Sequence, residues 1–406
     1  MRKCVFAAVF VMLVIFSVSG QSRNSSAVRA PAGMAGANGQ FYEVLSDAGA
    51  ADAQLLAREL DARFLLYNRI FHFDSKELNG RLKVRSYRDK SAYDSYVSER
   101  LDRSHPGAVY LHYNQADRRE LIINRGSAEE DVMFPHQVFV QYLRAFVPHP
   151  PAWIREGFAI YFSTVKFDPG KSNSRDAVSD AGLIYEENLS WLEVVKSLGN
   201  KAPSAESVLL ADVRGGNLPD NFQGVAWALV SLMKDSGKSD YFRILYESFL
   251  LLDKEASADV NAQVAYNHIK RWVEMSSLDR DYKTYLNSRK TFAELITEGQ
   301  VAYTVKELKL AEASFQAAQK QRPNHYAAYY YLGLIAYELR NFKQAEEYYN
   351  FALRYGADPA LVSYALGINA AAAGRSSDAI SFLEQAKSSS PDQYGEQADT
   401  IIRRLR

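Results

Sequence analysis

Small residues recur at a fixed interval of 34 residues through the last part of this 406-residue chain. Gly299, Gly333 and Gly367 form one set, and Ala302, Ala336 and Ala370 a second. Ala311, Ala345 and Ala379 form a third, and Ala318, Ala352 and Ala386 a fourth. Phe315 and Tyr349 share an aromatic position that becomes Leu383, while Pro323 and Pro391 lie two periods apart with Ala357 between them. A period of this length marks units that cannot bury their apolar side alone and must stack on copies of themselves. Small residues in phase let two antiparallel helices approach closely, and proline ends the second helix because it lacks an N–H and clashes with the preceding turn. Residues 291–392 are therefore expected to form three stacked helix pairs. Tyr394, Ala398, Ile401, Ile402 and Leu405 make the next segment amphipathic. Residues 393–406 are expected to cap the third pair, which would otherwise leave its apolar face in water.

The period and the residue type at each position resemble the tetratricopeptide repeat. That resemblance implies an all-α solenoid with a concave groove, lined by the first helix of each repeat, that holds a protein or peptide partner. Carried over position by position, the groove residues are Tyr303, Tyr330, Leu334, Tyr337, Tyr364 and Ile368. This surface is aromatic and mostly uncharged, and tyrosine anchors interfaces by burying area at low entropy cost. The Lys/Asn clamp with which related chaperone-binding arrays take a C-terminal carboxylate is missing. The alternative is that these tyrosines pack on one another or on the preceding domain.

Composition bounds the remainder. The chain has 48 basic and 48 acidic residues, is 47% hydrophobic and 24% charged, and so reads as globular. Nothing in this balance points to a nucleic acid or an anionic membrane surface as partner. Arg2 and Lys3 precede an apolar run from Val5 to Val18, and Val18-Ser19-Gly20 offers small residues for cleavage. Residues 1–20 are expected to be a secretory signal peptide cleaved near Gly20, with a retained anchor as the alternative. Its loss removes two basic residues and no acidic ones, leaving a net charge of −2. The single cysteine, Cys4, lies in that leader, so the mature chain is expected to carry no thiol or disulfide and to rest on its core alone. These features fit a periplasmic or otherwise exported protein with no membrane span after cleavage.

Residues 21–40 are rich in Ser, Ala, Gly and Asn and are expected to be a flexible linker. Phe41–Leu45 and Leu82–Tyr87 read as strands. Leu55, Leu56, Leu60, Phe64 and Leu65 fall at helical spacing between them. Ala92–Leu101 reads as a helix. Ala108–Leu111 and Glu120–Asn124 read as strands that pair antiparallel across the polar turn at Asn114–Arg118. From Ser127 to about Asn287 the pattern is mostly helical. The order predicts an α+β fold over residues 41–289, a small N-terminal sheet followed by a helical body.

Within that segment, His136-Gln137-Val138-Phe139-Val140 is followed by Pro151-Ala152-Trp153-Ile154-Arg155-Glu156-Gly157. The pair resembles H-E-x-x-H on one helix and W-x-x-E-G on the next, the zinc motif of the gluzincin-type peptidase-MA-like domain. The resemblance extends over residues 41–289. It takes in the strand ending at Ser46-Asp47, the run from Val84 to Tyr96, the strand Gly107-Ala108-Val109-Tyr110, the segment Ala226–Val230, and a closing Leu278–Tyr282 with Tyr285-Leu286. In the resembled enzymes two histidines and a distant glutamate hold zinc, and the motif glutamate takes a proton from the zinc-bound water. Here His136 and Glu156 keep two ligand positions. Gln137 replaces the general base and is neutral, and Val140 replaces the second histidine and has no lone pair. General-base catalysis alone is worth roughly 10² to 10⁴-fold. In related enzymes a later tyrosine stabilises the oxyanion, and the corresponding stretch here, Asn221-Phe222-Gln223-Gly224, has none.

The expectation is thus an exported, non-catalytic peptidase-like protein with no zinc or other cofactor, and with His136 and Glu156 paired directly. Two other readings stand beside it. One is a divergent zinc hydrolase in which His149 or His112 supplies the missing ligand. The other is a chain in which the repeats alone function and the first domain is a spacer. His136 also sits on an apolar stripe with Val132, Val140, Leu143 and Val147, where a lone histidine is commonly a hydrogen-bonded core residue. Pro135 starts or kinks its helix. Glu156 could be a surface carboxylate, although the apolar neighbours Trp153, Ile154, Phe158, Tyr161 and Phe162 and a helical Gly157 favour a packed position.

Overall fold

A computed structural model describes residues 30–102, 105–126, 130–170, 182–185, 187–214, 218 and 220–406. The expected leader and residues 21–29 of the expected linker lie outside the described residues. The chain divides into two compact units. One is the chain up to Phe64 together with Asn79–Glu130; the other is Leu65–Leu78 with Asp131–Arg406.

The first unit is built on β1 (Ala35–Asn38), β2 (Tyr42–Ser46), the start of α1 (Ala50–Phe71), β3 (Leu82–Tyr87), α2 (Lys90–Ser98), β4 (Ala108–Leu111) and β5 (Glu120–Asn124). The strands form one mixed sheet in the order β1-β2-β3-β5-β4. β2 to β3 and β3 to β5 are parallel and the two outer pairings antiparallel, so β4 and β5 pair as the polar turn predicts. Residues 35–38, placed in the linker by their composition, instead pair with β2 from Ala35↔Ser46 to Asn38↔Glu43. Their small side chains carry no hydrophobic pattern, and the strand exists because β2 offers a free edge.

Register sorts the faces. Val44, Val84 and Leu121 stand in one row, all buried. On that side Phe64 of α1 packs edge-on to Tyr42, 6.4 Å between centroids, and stacks on Phe41 at 3.8 Å. On the other side Tyr93 and Val97 of α2 close over Tyr87, Val109, Leu111 and Ile122. Asp61 accepts the backbone N–H groups of Gln40 and Phe41 at 2.5 and 2.8 Å, which fixes the entry to β2.

The second unit opens with α3 (Glu130–Phe146), α4 (Ala152–Tyr161) and a small hairpin of β6 (Lys166–Phe167) and β7 (Leu183–Ile184). It continues through α5 (Leu192–Leu198), α6 (Ala205–Leu209), α7 (Ala211–Arg214), α8 (Phe222–Asp235), α9 (Ser239–Leu250), α10 (Ala258–Trp272) and α11 (Met275–Asn287). Pro135 lies inside α3 rather than at its start. The core is aromatic: Tyr67, Phe71, Phe139, Tyr142, Phe158, Phe162 and Phe249 meet ring to ring. Gly157 explains how close α4 comes to α8. A Cβ there would stand 2.7 Å from the Ala226 carbonyl oxygen and 2.7 Å from Val230.

Helices α12 (Phe292–Thr304) and α13 (Leu308–Gln321), α14 (Tyr326–Glu338) and α15 (Phe342–Arg354), and α16 (Pro359–Ala372) and α17 (Ser376–Ser389) are the three pairs, followed by α18 (Pro391–Leu405). The glycine of each first helix faces the large residue of its second. Added Cβ atoms at Gly299, Gly333 and Gly367 would meet Phe315 at 2.6 Å, Tyr349 at 2.5 Å and Leu383 at 2.7 Å. The turns repeat as well: Lys306, Arg340 and Gly374, one period apart, all have positive φ of 64°, 61° and 77°. Ala398 and Ile402 of α18 cover Leu383, and Tyr394 covers Ala360 and Ala386. Thr291 and Glu294 form a capping box at the start of α12. Glu294 also binds Lys196 Nζ of α5 at 2.7 Å, and that ammonium donates to the Arg289 carbonyl at 2.8 Å. The first repeat is thereby tied to the helical body. Among the described residues no helix is long and apolar enough to cross a membrane.

Candidate functional site

Two places collect the residues singled out above. The first lies between α3, α4 and α8. His136 comes from α3, and its Nε2 stands 3.1 Å from Glu156 Oε2 on α4. Arg155 Nε donates to Glu156 Oε1 at 2.7 Å, and Gln223 Nε2 of α8 donates to Glu156 Oε2 at 2.9 Å. Both oxygens of the carboxylate are engaged, and only 11% of the Glu156 side chain is exposed. Burial pushes its pKa up, but the hydrogen bond and charge of His136 and then the charge and hydrogen bond of Arg155 outweigh this and hold it down at about 2. Glu156 is therefore a buried, partnered carboxylate and not a surface one.

The helix termini set this up. Pro151 offers no capping side chain to α4, so Asp212 Oδ2 of α7 accepts the Ala152 N–H at 2.7 Å. Burial pushes Asp212 up despite that bond and the nearby Arg155 charge. Gln137 reaches towards His136 Nδ1 only at 3.5 Å, and Val140, one turn further along α3, is buried. His149 joins α10 through its backbone carbonyl, which accepts from Asn261 Nδ2 at 3.0 Å. Among the described residues no three His, Cys, Asp or Glu side chains converge to hold a metal ion. Arg155 and Gln223 were not predicted as members of this site. Arg155 precedes Glu156 in the motif, and Gln223 lies in the stretch that corresponds to the enzymes' oxyanion-stabilising tyrosine, but whether Gln223 meets Glu156 depends on how α4 and α8 cross.

The second place is the face formed by α12, α14 and α16. Tyr303, Tyr330, Leu334, Tyr337, Tyr364 and Ile368 are all half-buried there. Tyr303 Oη donates to Glu338 Oε1 at 3.3 Å, and Lys306 Nζ binds the same oxygen at 2.8 Å. Burial, with help from Glu338, pushes Tyr303 up to about 12. Burial pushes Tyr330 up to about 12 as well, and Tyr394 and Tyr331 add to it. Burial pushes Tyr349 up, and Tyr330, Tyr303 and Tyr337 add to it. Tyr364 stacks on Tyr394 of α18 at 4.8 Å, so the cap covers part of the expected groove at that end. Glu338 and Tyr394 belong to this surface and were not predicted; an acidic residue at a turn and an aromatic in a cap give no sign of it in the sequence.

The repeat period, the glycine-to-aromatic contacts and the recurring left-handed turns describe one motif three times. A family model described as tetratricopeptide repeat matches residues 296–350 and 335–394. These are tetratricopeptide repeats. Repeats of this kind suggest protein–protein interaction or scaffolding. Comparison with curated proteins returned no match.

Proposed function

We propose that the chain is an exported, non-catalytic peptidase-like protein that binds a protein or peptide through the groove of its tetratricopeptide repeats. One observation carries the reading. The six residues expected in the groove lie on the first helices of successive repeats, and every one keeps part of its side chain in solvent. Such a row of half-exposed tyrosines and aliphatics supplies anchors already held in place by packing beneath them. The non-catalytic part rests on the His136–Glu156 site. A zinc ligand would have to leave its protein partners to bind a metal, and Gln137 cannot take a proton from water. The peptidase-like fold rests on the motif resemblance, and export to the periplasm on the leader pattern.

The test uses the full chain purified from a native envelope. A partner that co-purifies with it and is lost from the double variant Tyr337→Ala/Ile368→Glu, with the melting temperature kept within a few degrees, supports groove binding. Retention of the partner by the double variant removes the groove from the proposal. Stoichiometric zinc in the unaltered protein, together with peptide hydrolysis, would overturn the non-catalytic reading.

A further inference from the structure

The sheet of the first unit carries a cleft of about 420 Å³ on its α2 side. β2, β3 and β5 form its floor, and Tyr96, Arg100, Tyr113 and Arg118 its walls. Every residue that lines it belongs to the first unit.

Three guanidinium groups meet two tyrosines here. Arg85 lies over Tyr96, 4.5 Å from the ring centroid, and its Nε donates to Glu120 Oε1 at 3.0 Å. The other oxygen of Glu120 accepts the Tyr96 hydroxyl at 2.6 Å, so this carboxylate is spent inside the wall. Arg100 lies over Tyr96 at 3.4 Å and Arg118 over Tyr113 at 4.6 Å. Arg100 uses Nη1 on the Tyr96 carbonyl at 2.8 Å and on Glu99 at 3.1 Å, and Arg118 uses Nη1 on Gln115 at 3.3 Å. The Nε and Nη2 donors of both have no hydrogen-bond partner among the described residues. Arginine offers five N–H donors in a rigid fork that matches carboxylate and phosphate oxygens. Stacking on tyrosine has already restricted the two side chains, which lowers the entropy lost when a ligand is gripped. Lys83 adds a positive charge, its Nζ donating to the Asp117 carbonyl at 2.8 Å. Glu43 and the Asp117 carboxylate also line the cleft and oppose an anion.

We infer that this cleft binds a small oxyanion-bearing molecule, a carboxylate or a phosphate, with Arg100 and Arg118 as its clamp. Succinate and inorganic phosphate, titrated separately into the full chain by calorimetry at low salt, test it. The expected result is saturable one-site binding of at least one probe, and the probe that binds distinguishes carboxylate from phosphate. Arg100→Gln and Arg118→Gln should each weaken that binding by about tenfold, the loss of one charge-assisted hydrogen bond. Glu43→Gln should tighten it by removing a like charge, an effect that a misfolded variant would not produce. No binding of either probe up to about 10 mM, a range corresponding to negligible affinity, or binding unchanged in both arginine variants, overturns the inference.

Discussion

His136 Nε2 and Glu156 Oε2 stand 3.1 Å apart, each the other's hydrogen-bond partner. In the resembled peptidases the same two residue types share a zinc ion. Here Arg155 and Gln223 complete the shell of Glu156, and the carboxylate is satisfied by protein alone.

Acid should reveal that shell. The folded pKa of Glu156 is held at about 2 against an ordinary 4.5. Its contribution to stability is therefore complete above about pH 4.5 and is lost as the pH falls through about 2, a difference of roughly 2 to 4 kcal/mol. Glu156→Gln should flatten the stability curve in that window while lowering stability at pH 7. Denaturant melts between pH 2 and 7 compare the two, and parallel curves would remove Glu156 as the source.

On the proposed peptidase-like reading, supplying a glutamate and a second histidine should create a metal site. Gln137→Glu/Val140→His places a second imidazole one helical turn from His136. The double variant is expected to purify with close to one equivalent of zinc, and the unaltered chain with far less. Elemental analysis after dialysis against zinc measures both. A double variant that stays free of zinc, while melting normally, would count against the proposed peptidase-like reading.

Two glycines should respond in opposite directions to alanine. At Gly157 the new Cβ meets the Ala226 backbone carbonyl at 2.7 Å, and backbone cannot swing away. Gly157→Ala is expected to cost about 1 to 3 kcal/mol. At Gly395, inside α18, nothing lies within 4 Å of the added carbon. Gly395→Ala should stabilise by about 0.5 to 1 kcal/mol through helix propensity. Thermal and urea melts read both.

The turn at Arg340 holds a non-glycine residue at φ 61°, where the equivalent position in the next repeat is Gly374. Left-handed backbone costs an L-residue about 1 kcal/mol or more. Arg340→Gly is expected to raise stability by up to about 1 kcal/mol. Lys306→Gly should gain less, because Lys306 also binds Glu338 at 2.8 Å. Equal gains at both turns would show that this ion pair contributes nothing.

Periodic features are legible in the sequence alone. Phase relations among Gly299, Gly333 and Gly367 located three helix pairs because a repeat imposes the same packing problem at every copy. The alternation in Leu82–Tyr87 and Ala108–Leu111 located strands because a half-buried sheet sorts side chains two by two. Strand β1 was missed because Ala35–Asn38 has no such alternation and owes its place to β2.

Local pattern also brought His136 and Glu156 to notice, through spacing along two helices. It could not say which side chains would surround them. Gln223 reaches Glu156 because Gly157 lets α4 lie against α8, a contact between segments some seventy residues apart in sequence. The groove divides the same way. Tyr303, Tyr330 and Tyr364 could be placed on first helices by phase, whereas Glu338 at one end and Tyr394 stacked on the other follow from the turn and the cap. Spacing along a helix is set by backbone geometry that every residue shares. The crossing of two helices is set by side-chain volume summed over both, and it takes form only when they pack.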